Sequence, residues 1–139
     1  FPIAAFLRER LVSPMRIVLV GICGSGKTTL AQGLRRLGYE VRECAQEHSN
    51  VPYMWQRISR PDVLIYLDAS EETVQRRGCW HYLAGYVEEQ RKRLAHARAH
   101  CDLYVMTDDL TKSQVLQRVI DFLAHFKFRD AHNLTDGQG

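Results

Sequence analysis

The sequence lacks the features that mark membrane, disulfide-rich and zinc-binding proteins. No apolar run approaches the ~18 residues that a membrane span needs. The apolar opening of the chain has neither a basic start nor a clear cleavage site. The four cysteines form no C-x-x-C pair, and their spacing fits no zinc site. We therefore expect reduced thiols in a cytoplasmic protein that has no membrane partner.

The sequence also lacks a large excess of positive or negative charge. The 139 residues carry a formal net charge of only +3, which permits an anionic ligand without demanding nucleic acid. We therefore expect no nucleic-acid partner. The sequence has no internal repeat and no low-complexity segment, and its hydrophobic share of 45% suits one globular domain with its own core.

What the sequence does contain is a complete glycine-rich pattern, G-x-x-x-x-G-K-[ST], from Gly21 to Thr28. A strand expected over 15–20 precedes it and a helix expected over 28–37 follows it, which is the context that this pattern requires. Such a loop turns its backbone N–H groups inward, so that they form an anion site at a helix N-terminus. We expect nucleotide phosphates to bind at residues Gly21, Cys23, Gly24, Ser25, Gly26, Lys27, Thr28 and Thr29.

Two side chains of the pattern, together with one acid further along, predict a magnesium–nucleotide site. Lys27 is placed to reach the β- and γ-phosphates, and the hydroxyl of Thr28 is placed to ligate Mg²⁺. Asp68 ends the apolar run 63–67, which is the form of the second acidic motif of P-loop proteins. Its carboxylate would orient a metal-bound water. The alternative is that Asp68 only caps a helix after a buried strand.

Strand patterns and helix patterns alternate along the chain. Strands are expected over 15–20, 39–44, 63–68 and 102–106, and the second is less apolar and so nearer an edge. A long helix is expected over 82–100. The alternation predicts βαβ units in a three-layer α/β/α domain with a mainly parallel sheet of four or five strands, which is the P-loop NTPase fold.

The nucleotide-binding domain is expected to span residues 15–126. Met15 directly precedes the first strand, so we interpret residues 1–14 as an N-terminal extension. The other option is a short helix, from Ala4 to Leu11, that lies on the domain. A last helix is expected over 112–126, and residues 127–139 have the pattern of a flexible C-terminal tail.

Two later stretches, over 60–77 and 89–120, resemble the small-molecule P-loop kinases, such as thymidylate kinase, the deoxynucleoside kinases and shikimate kinase. The resemblance as a whole covers about residues 15–125. It implies ATP-dependent phosphoryl transfer with Mg²⁺, and an adenine-binding loop near Asp108.

The resemblance also implies roles for arginines. In those kinases, an arginine that opens the lid segment lies over the adenine, and Arg76 or Arg77 matches that position. Other lid arginines touch the transferring phosphate, where a guanidinium stabilises the charge that develops, and Arg91 or Arg93 matches these. The alternative is that these arginines cover a solvated helix face.

The chain departs from these kinases where a phosphoryl acceptor should bind. Only residues 45–59 stand in the place of the usual substrate-binding insertion, and the lid expected over 78–82 is also short. The nearest candidates for a catalytic base are Glu43 and Glu47, with His48 beside the latter. Each of these acids also suits a purely structural place at a strand edge or in a loop.

Two active functions, besides a bare nucleotide-binding remnant with no turnover, therefore remain open from the sequence. The first is a kinase that transfers the γ-phosphoryl group of ATP to an unidentified small molecule, with Lys27, Asp68, Glu43 and Arg91 as catalytic candidates. The alternative is a slow NTPase or a nucleotide-dependent switch whose output is a protein partner. GTP specificity is not expected, because no Asn-Lys-x-Asp sequence is present.

Overall fold

The computed structural model describes residues 15–59, 61–77 and 86–137. The extension expected over 1–14 and the short lid expected over 78–82 lie outside these residues. In chain order, the elements are β1 (Arg16–Gly21), α1 (Lys27–Arg36), β2 (Glu40–Glu43), a 3-10 helix (Gln46–His48), α2 (Met54–Ser59), β3 (Val63–Asp68), α3 (Glu71–Arg76), α4 (Tyr86–His100), β4 (Leu103–Met106) and α5 (Lys112–Gly137).

The strands form a four-stranded sheet in the order β2–β1–β3–β4, and each neighbouring pair is parallel. Leu19 on β1 pairs with Glu43 on β2 and with Ile65 on β3. The least apolar strand, β2, is an edge strand, as its composition predicted. Because all strands run the same way, the carboxyl ends of β1 and β3 meet at one edge of the sheet, where α/β domains bind ligands.

Two apolar layers enclose the sheet. Ile17 and Leu19 of β1 pack with α1 and α5 on one face, whereas Val18 and Val20 pack with the layer that contains α3 and α4 on the other. All four side chains are fully buried, since successive side chains of a strand point to opposite faces. The predicted three-layer α/β/α P-loop fold with a parallel sheet is therefore confirmed.

The last helix is longer than the sequence predicted. Helix α5 extends to Gly137, whereas the sequence led us to expect an end near Phe126 and a tail after it. Between Phe126 and Gly137 the chain has no glycine and no proline, so it contains none of the residues that most strongly stop a helix.

Among the described residues, no helix is long and apolar enough to cross a membrane.

Candidate nucleotide-binding site

The glycine-rich loop occupies the turn from β1 into α1, at the carboxyl edge of the sheet. Gly26 directly precedes α1 with a φ of 102°, a left-handed conformation that favours glycine. At Gly21, a Cβ would lie 2.1 Å from the carbonyl oxygen of Leu67 on β3, so only glycine fits against that strand. These two glycines let the loop close tightly around the N-terminus of α1.

Lys27 lies at the centre of the loop, and its ammonium group is mostly buried. Its Nζ donates a hydrogen bond to the carbonyl oxygen of Gly21 at 2.6 Å and forms an ion pair with the carboxylate of Glu47. Only 11% of the lysine side chain is exposed. A cation at the N-terminus of a helix is suited to bind phosphate oxygens.

A cavity of about 430 Å³ opens beside Lys27. Thr28 of the loop faces Glu43 at the end of β2, and its hydroxyl donates to Glu43 Oε1 at 2.6 Å. The sequence paired Thr28 with Asp68, but the acid that contacts Thr28 in this structure is Glu43. The residues that line the cavity are Cys23, Gly24, Gly26, Lys27, Thr28, Thr29, Glu43, Cys44, Ala45 and Glu47.

Glu47 is a buried acid at the edge of this cavity. It lies in the 3-10 helix and is only 4% exposed. Its Oε2 contacts Lys27 and lies 3.9 Å from Nε2 of His48. Its Oε1 is buried and has no hydrogen-bond partner among the described residues. Burial of a carboxylate oxygen without a partner is costly, so such an atom is a common sign of a functional site.

Asp68 has a different environment, because its carboxylate accepts bonds from several donors. Oδ1 accepts from the backbone N–H of Ala69 at 2.9 Å and lies 3.4 Å from Nη2 of Arg91. Oδ2 accepts from the hydroxyl of Tyr104 at 2.6 Å. Arg91 also donates to the carbonyl oxygen of Ala69 at 3.1 Å and to Glu88 at 3.2 Å. The two predicted catalytic residues Asp68 and Arg91 thus contact each other.

The tyrosines beside Asp68 are difficult to ionise. Burial, then the hydrogen bond to Asp68, raise the pKa of Tyr104 to about 12. Burial and the charge of Asp68 also raise the pKa of Tyr66, whose ring stacks on that of Tyr104 with centroids 5.5 Å apart. Burial opposes the charge of Arg91, but Asp68 outweighs burial and raises the pKa of the guanidinium. The neutral tyrosine hydroxyl therefore stays a donor to Asp68 at ordinary pH.

A second cavity, of about 520 Å³, lies on the other side of the loop. Arg77, just after α3, lines this cavity and joins two of its walls. Its Nη1 donates to the carbonyl oxygen of Gly24 at 2.9 Å, and its Nη2 donates to the carbonyl oxygen of Thr107 at 2.9 Å. The buried hydroxyl of Thr107 lies 3.1 Å from the carbonyl oxygen of Ser25. Its lining residues are Ser25, Gly26, Thr29, Leu30, Arg77, Thr107, Leu110, Thr111, Lys112 and Val115.

The structure distinguishes the two adjacent arginines that the sequence left as alternatives. Among the described residues, the hydrogen-bond partner of Arg76 lies within its own helix, where Nη2 donates to the hydroxyl of Thr73 at 3.2 Å. Asp108 accepts from the backbone N–H of Ser70 at 2.9 Å. Burial opposes the charge of Asp108, but the hydrogen bonds from Ser70 prevail and hold the pKa of this carboxyl below its usual value. Arg76 and Asp108 therefore brace α3, whereas Arg77 reaches the loop.

Sequence reasoning missed one residue that fixes the loop. Gln90 of α4 is fully buried, and its Oε1 accepts a hydrogen bond from the backbone N–H of Cys23 at 2.8 Å. A signal did exist, because Gln90 falls on the apolar face of α4 with Val87, Leu94 and Ala97, which are all buried. A buried amide among apolar neighbours needs a polar partner, and here the partner is the phosphate loop.

The fold and this loop together define a P-loop nucleotide-binding domain, with the loop at the carboxyl edge of an inner parallel strand. The family model for the AAA domain, which is of the P-loop NTPase type, matches residues 17–122. The chain therefore belongs to the AAA domain family and is a nucleotide-binding P-loop protein. No curated protein matches the sequence.

Proposed function

We propose that the protein is a kinase that transfers the γ-phosphoryl group of ATP to a small molecule. The observation that carries this proposal is the pair of cavities on either side of one phosphate loop. Gly26 and Thr29 line both of them. If the nucleobase occupies the cavity on the Arg77 side, the terminal phosphate lies at Lys27. The cavity that Glu43 and Glu47 line, here called the acid-lined cavity, then remains for a second substrate. A kinase needs such a second cavity, whereas an NTPase needs room for water only.

In this proposal the nucleobase lies between apolar and cationic groups. Leu30, Leu110 and Val115 line the larger cavity, and the planar guanidinium of Arg77 stacks on the base. Lys27 gives up its contacts with Gly21 and Glu47 and neutralises the terminal phosphates. Arg91 acts as a positioning residue, because its bonds to Asp68 and Ala69 hold the strand end in place.

The oxygens near the loop fit Mg²⁺. The Thr28 hydroxyl and the Glu43 carboxylate lie 2.6 Å apart, and both are hard oxygen donors of the kind that Mg²⁺ prefers. We assign Thr28 and Glu43 to hold the ion, with Asp68 as the acid at the end of β3. When bound, Mg²⁺ would supply neutralisation of the charge on the β- and γ-phosphates.

One observation favours a second candidate, a slow NTPase or a nucleotide-dependent switch. Between β2 and β3 the chain has only a three-residue 3-10 helix and the six-residue α2, so little chain is available to enclose an acceptor. A cavity that stays open to water favours hydrolysis of the nucleotide. The output would then be the binding of a protein partner.

One assay separates the two functions. The protein is incubated with γ-labelled ATP, Mg²⁺ and a panel of nucleosides, nucleotides, sugars and amino alcohols. Label in a panel member supports the kinase. Release of free phosphate at one rate, with or without the panel, contradicts it and supports the NTPase. Competition by unlabelled ATP and GTP in the same assay tests the expected preference for adenine.

A further inference from the structure

The acid-lined cavity has an unusual charge for a site that works with phosphates. Two carboxylates, Glu43 and Glu47, line it, and Lys27 is its only cationic lining residue among those the structure describes. Lys27 is also the residue that the proposed nucleotide needs for its phosphates. Once a nucleoside triphosphate is bound, no described cation that lines the cavity remains for a second anion.

The nearby basic side chains do not supply that charge. Arg93 donates through Nη1 to the backbone oxygen of Glu47 at 3.3 Å, and through Nε to Asn50 at 3.3 Å. Its guanidinium is therefore bound on the α4 side of the 3-10 helix. His48 lies 3.9 Å from the Oε2 atom of Glu47, not from Oε1, and about half of its side chain is exposed. Neither residue lines the cavity.

The two acids also differ in the hydrogen bonds that their carboxylate oxygens make. Glu43 Oε1 accepts the hydrogen bond from Thr28. Glu47 Oε2 is bound to Lys27 until Lys27 turns to the phosphates, whereas Glu47 Oε1 is buried and has no hydrogen-bond partner among the described residues even with Lys27 in place. An unpartnered buried carboxylate oxygen needs a donor, and an O–H group provides one.

We propose that the acceptor is a small hydroxyl compound without an anionic group, neutral or cationic, and that its reacting hydroxyl donates to Glu47 Oε1. This inference rests on the proposed kinase function and specifies its substrate class. A cavity of about 430 Å³ suits a small molecule, since such sites measure roughly 300–1,000 Å³. A phosphate-bearing acceptor is rejected, because Lys27 and the Mg²⁺ assigned to Thr28 and Glu43 are matched to the phosphates of the nucleotide, so that its added charge would face Glu47 without a countercation of its own.

The contact between the acceptor hydroxyl and Glu47 Oε1 gives Glu47 the role of a general base. The acceptor O–H bond breaks and its proton passes to Glu47 Oε1, while the acceptor oxygen forms a bond to the γ-phosphorus of the nucleoside triphosphate. The bond from that phosphorus to the β–γ bridging oxygen breaks, and the nucleoside diphosphate leaves with the electron pair. The proton then returns from Glu47 to water. Glu47 is thereby a catalytic residue, because it touches the reacting hydroxyl.

The test uses compounds in matched pairs that differ by one phosphate. Glycerol is compared with glycerol 3-phosphate, ribose with ribose 5-phosphate and uridine with its 5′-monophosphate, and ethanolamine and serinol represent the cationic class. Each is incubated with the full chain, γ-labelled ATP and Mg²⁺. We expect label in at least one unphosphorylated compound, at least 10-fold above its phosphorylated partner.

Variants test the role of Glu47. We expect Glu47→Gln to reduce phosphoryl transfer about 100-fold, within the contribution typical of a general base. Binding of a fluorescent ATP analogue should stay equal or become tighter, because one negative charge beside Lys27 is lost. Glu40→Gln is the matched control: it removes a carboxylate from the same strand as Glu43, at a residue that does not line the cavity, and should leave transfer unchanged.

The outcomes separate this inference from the function on which it rests. Label that enters the phosphorylated members equally or better leaves the kinase standing and overturns the acceptor class. Free phosphate alone with every compound overturns the kinase and the acceptor class together. Full transfer by a Glu47→Gln protein that binds nucleotide normally overturns the role of Glu47. If Glu47→Gln fails to fold, Glu47→Ala replaces it, and full transfer by this variant, which has no carboxylate at position 47, has the same meaning.

Discussion

The two sides of the phosphate loop are built differently. On the Arg77 side, guanidinium, hydroxyl and carbonyl groups bond to each other across Gly24, Ser25 and Thr107. On the other side, carboxylates face the loop, and Glu47 keeps an oxygen without a partner among the described residues. Polar groups that are satisfied stabilise a fold, whereas groups left unsatisfied indicate a place kept for a ligand. Each side keeps one such group, because the hydroxyl of Ser25, which lines the cavity on the Arg77 side, is also buried without a partner among the described residues. The group on the other side is a carboxylate oxygen, which can accept a proton, so proton transfer is expected on the side of Glu47.

The largest effect is expected at Lys27, which lines the cavity on the acid side of the loop. Lys27→Ala removes the cation that we assign to the phosphates, and should weaken ATP binding about 1,000-fold, or ~4 kcal/mol. Titration with a fluorescent ATP analogue measures this. Lys92→Ala is the control, because 78% of that side chain is exposed. Unchanged affinity of the Lys27 variant would mean that the loop does not bind nucleotide phosphates.

Asp68, whose two carboxylate oxygens both have donors, tests whether an acid with satisfied hydrogen bonds contributes to stability. Asp68→Ala leaves the Tyr104 hydroxyl, the Ala69 N–H and Arg91 without their acceptor, and should lower the free energy of unfolding by about 2–3 kcal/mol. Urea denaturation measures the loss. Glu88→Ala removes the exposed partner of Arg91 and should cost no more than about 0.5 kcal/mol. Equal losses in the two variants would contradict the comparison.

The adjacent arginines offer a matched pair on the base side. Arg77→Met should weaken ATP binding about 10-fold, or ~1.4 kcal/mol, because it removes the stacking cation and its bonds to Gly24 and Thr107. Arg76→Met should change affinity less than about 2-fold, since the hydrogen-bond partner of Arg76 among the described residues is Thr73. Calorimetric titration of both variants measures the affinity for ATP. A larger loss of affinity for the Arg76 variant than for the Arg77 variant would contradict the assignment of Arg77 to the nucleobase.

The smallest effect concerns pH. The pKa of Tyr104 rises from 10.0 to about 12 on folding, so its contribution to stability is complete below pH 10 and is lost as the pH rises towards 12. Tyr104→Phe should cost about 1 kcal/mol at pH 8, and less at pH 11. Unfolding midpoints in urea at the two pH values measure this. Parallel losses at both values would show that the hydroxyl is not held by Asp68.

The sequence was sufficient for features that depend on neighbouring residues. The order of strand, glycine loop and helix predicted the fold and the phosphate site, because each local pattern has one reading in that context. The sequence did not predict contacts between residues that are far apart along the chain. The bond from Cys23 to Gln90 spans 67 positions, and the pairing of Lys27 with Glu47 spans 20. Whether Thr28 meets Asp68 or Glu43 depends on how the strand ends are packed, which a linear pattern does not encode.

Gly21 has a consequence for the gene as well as for the fold. A single base change in a glycine codon yields residues such as alanine, serine or valine, and each brings a Cβ to within 2.1 Å of a backbone oxygen on β3. Gly26 is different, because a Cβ there would meet no described protein atom within 4 Å, so that its φ of 102° and its place in both cavities are what disfavour the change. A library of all single substitutions should therefore tolerate no replacement at position 21, while weakened alleles survive at position 26.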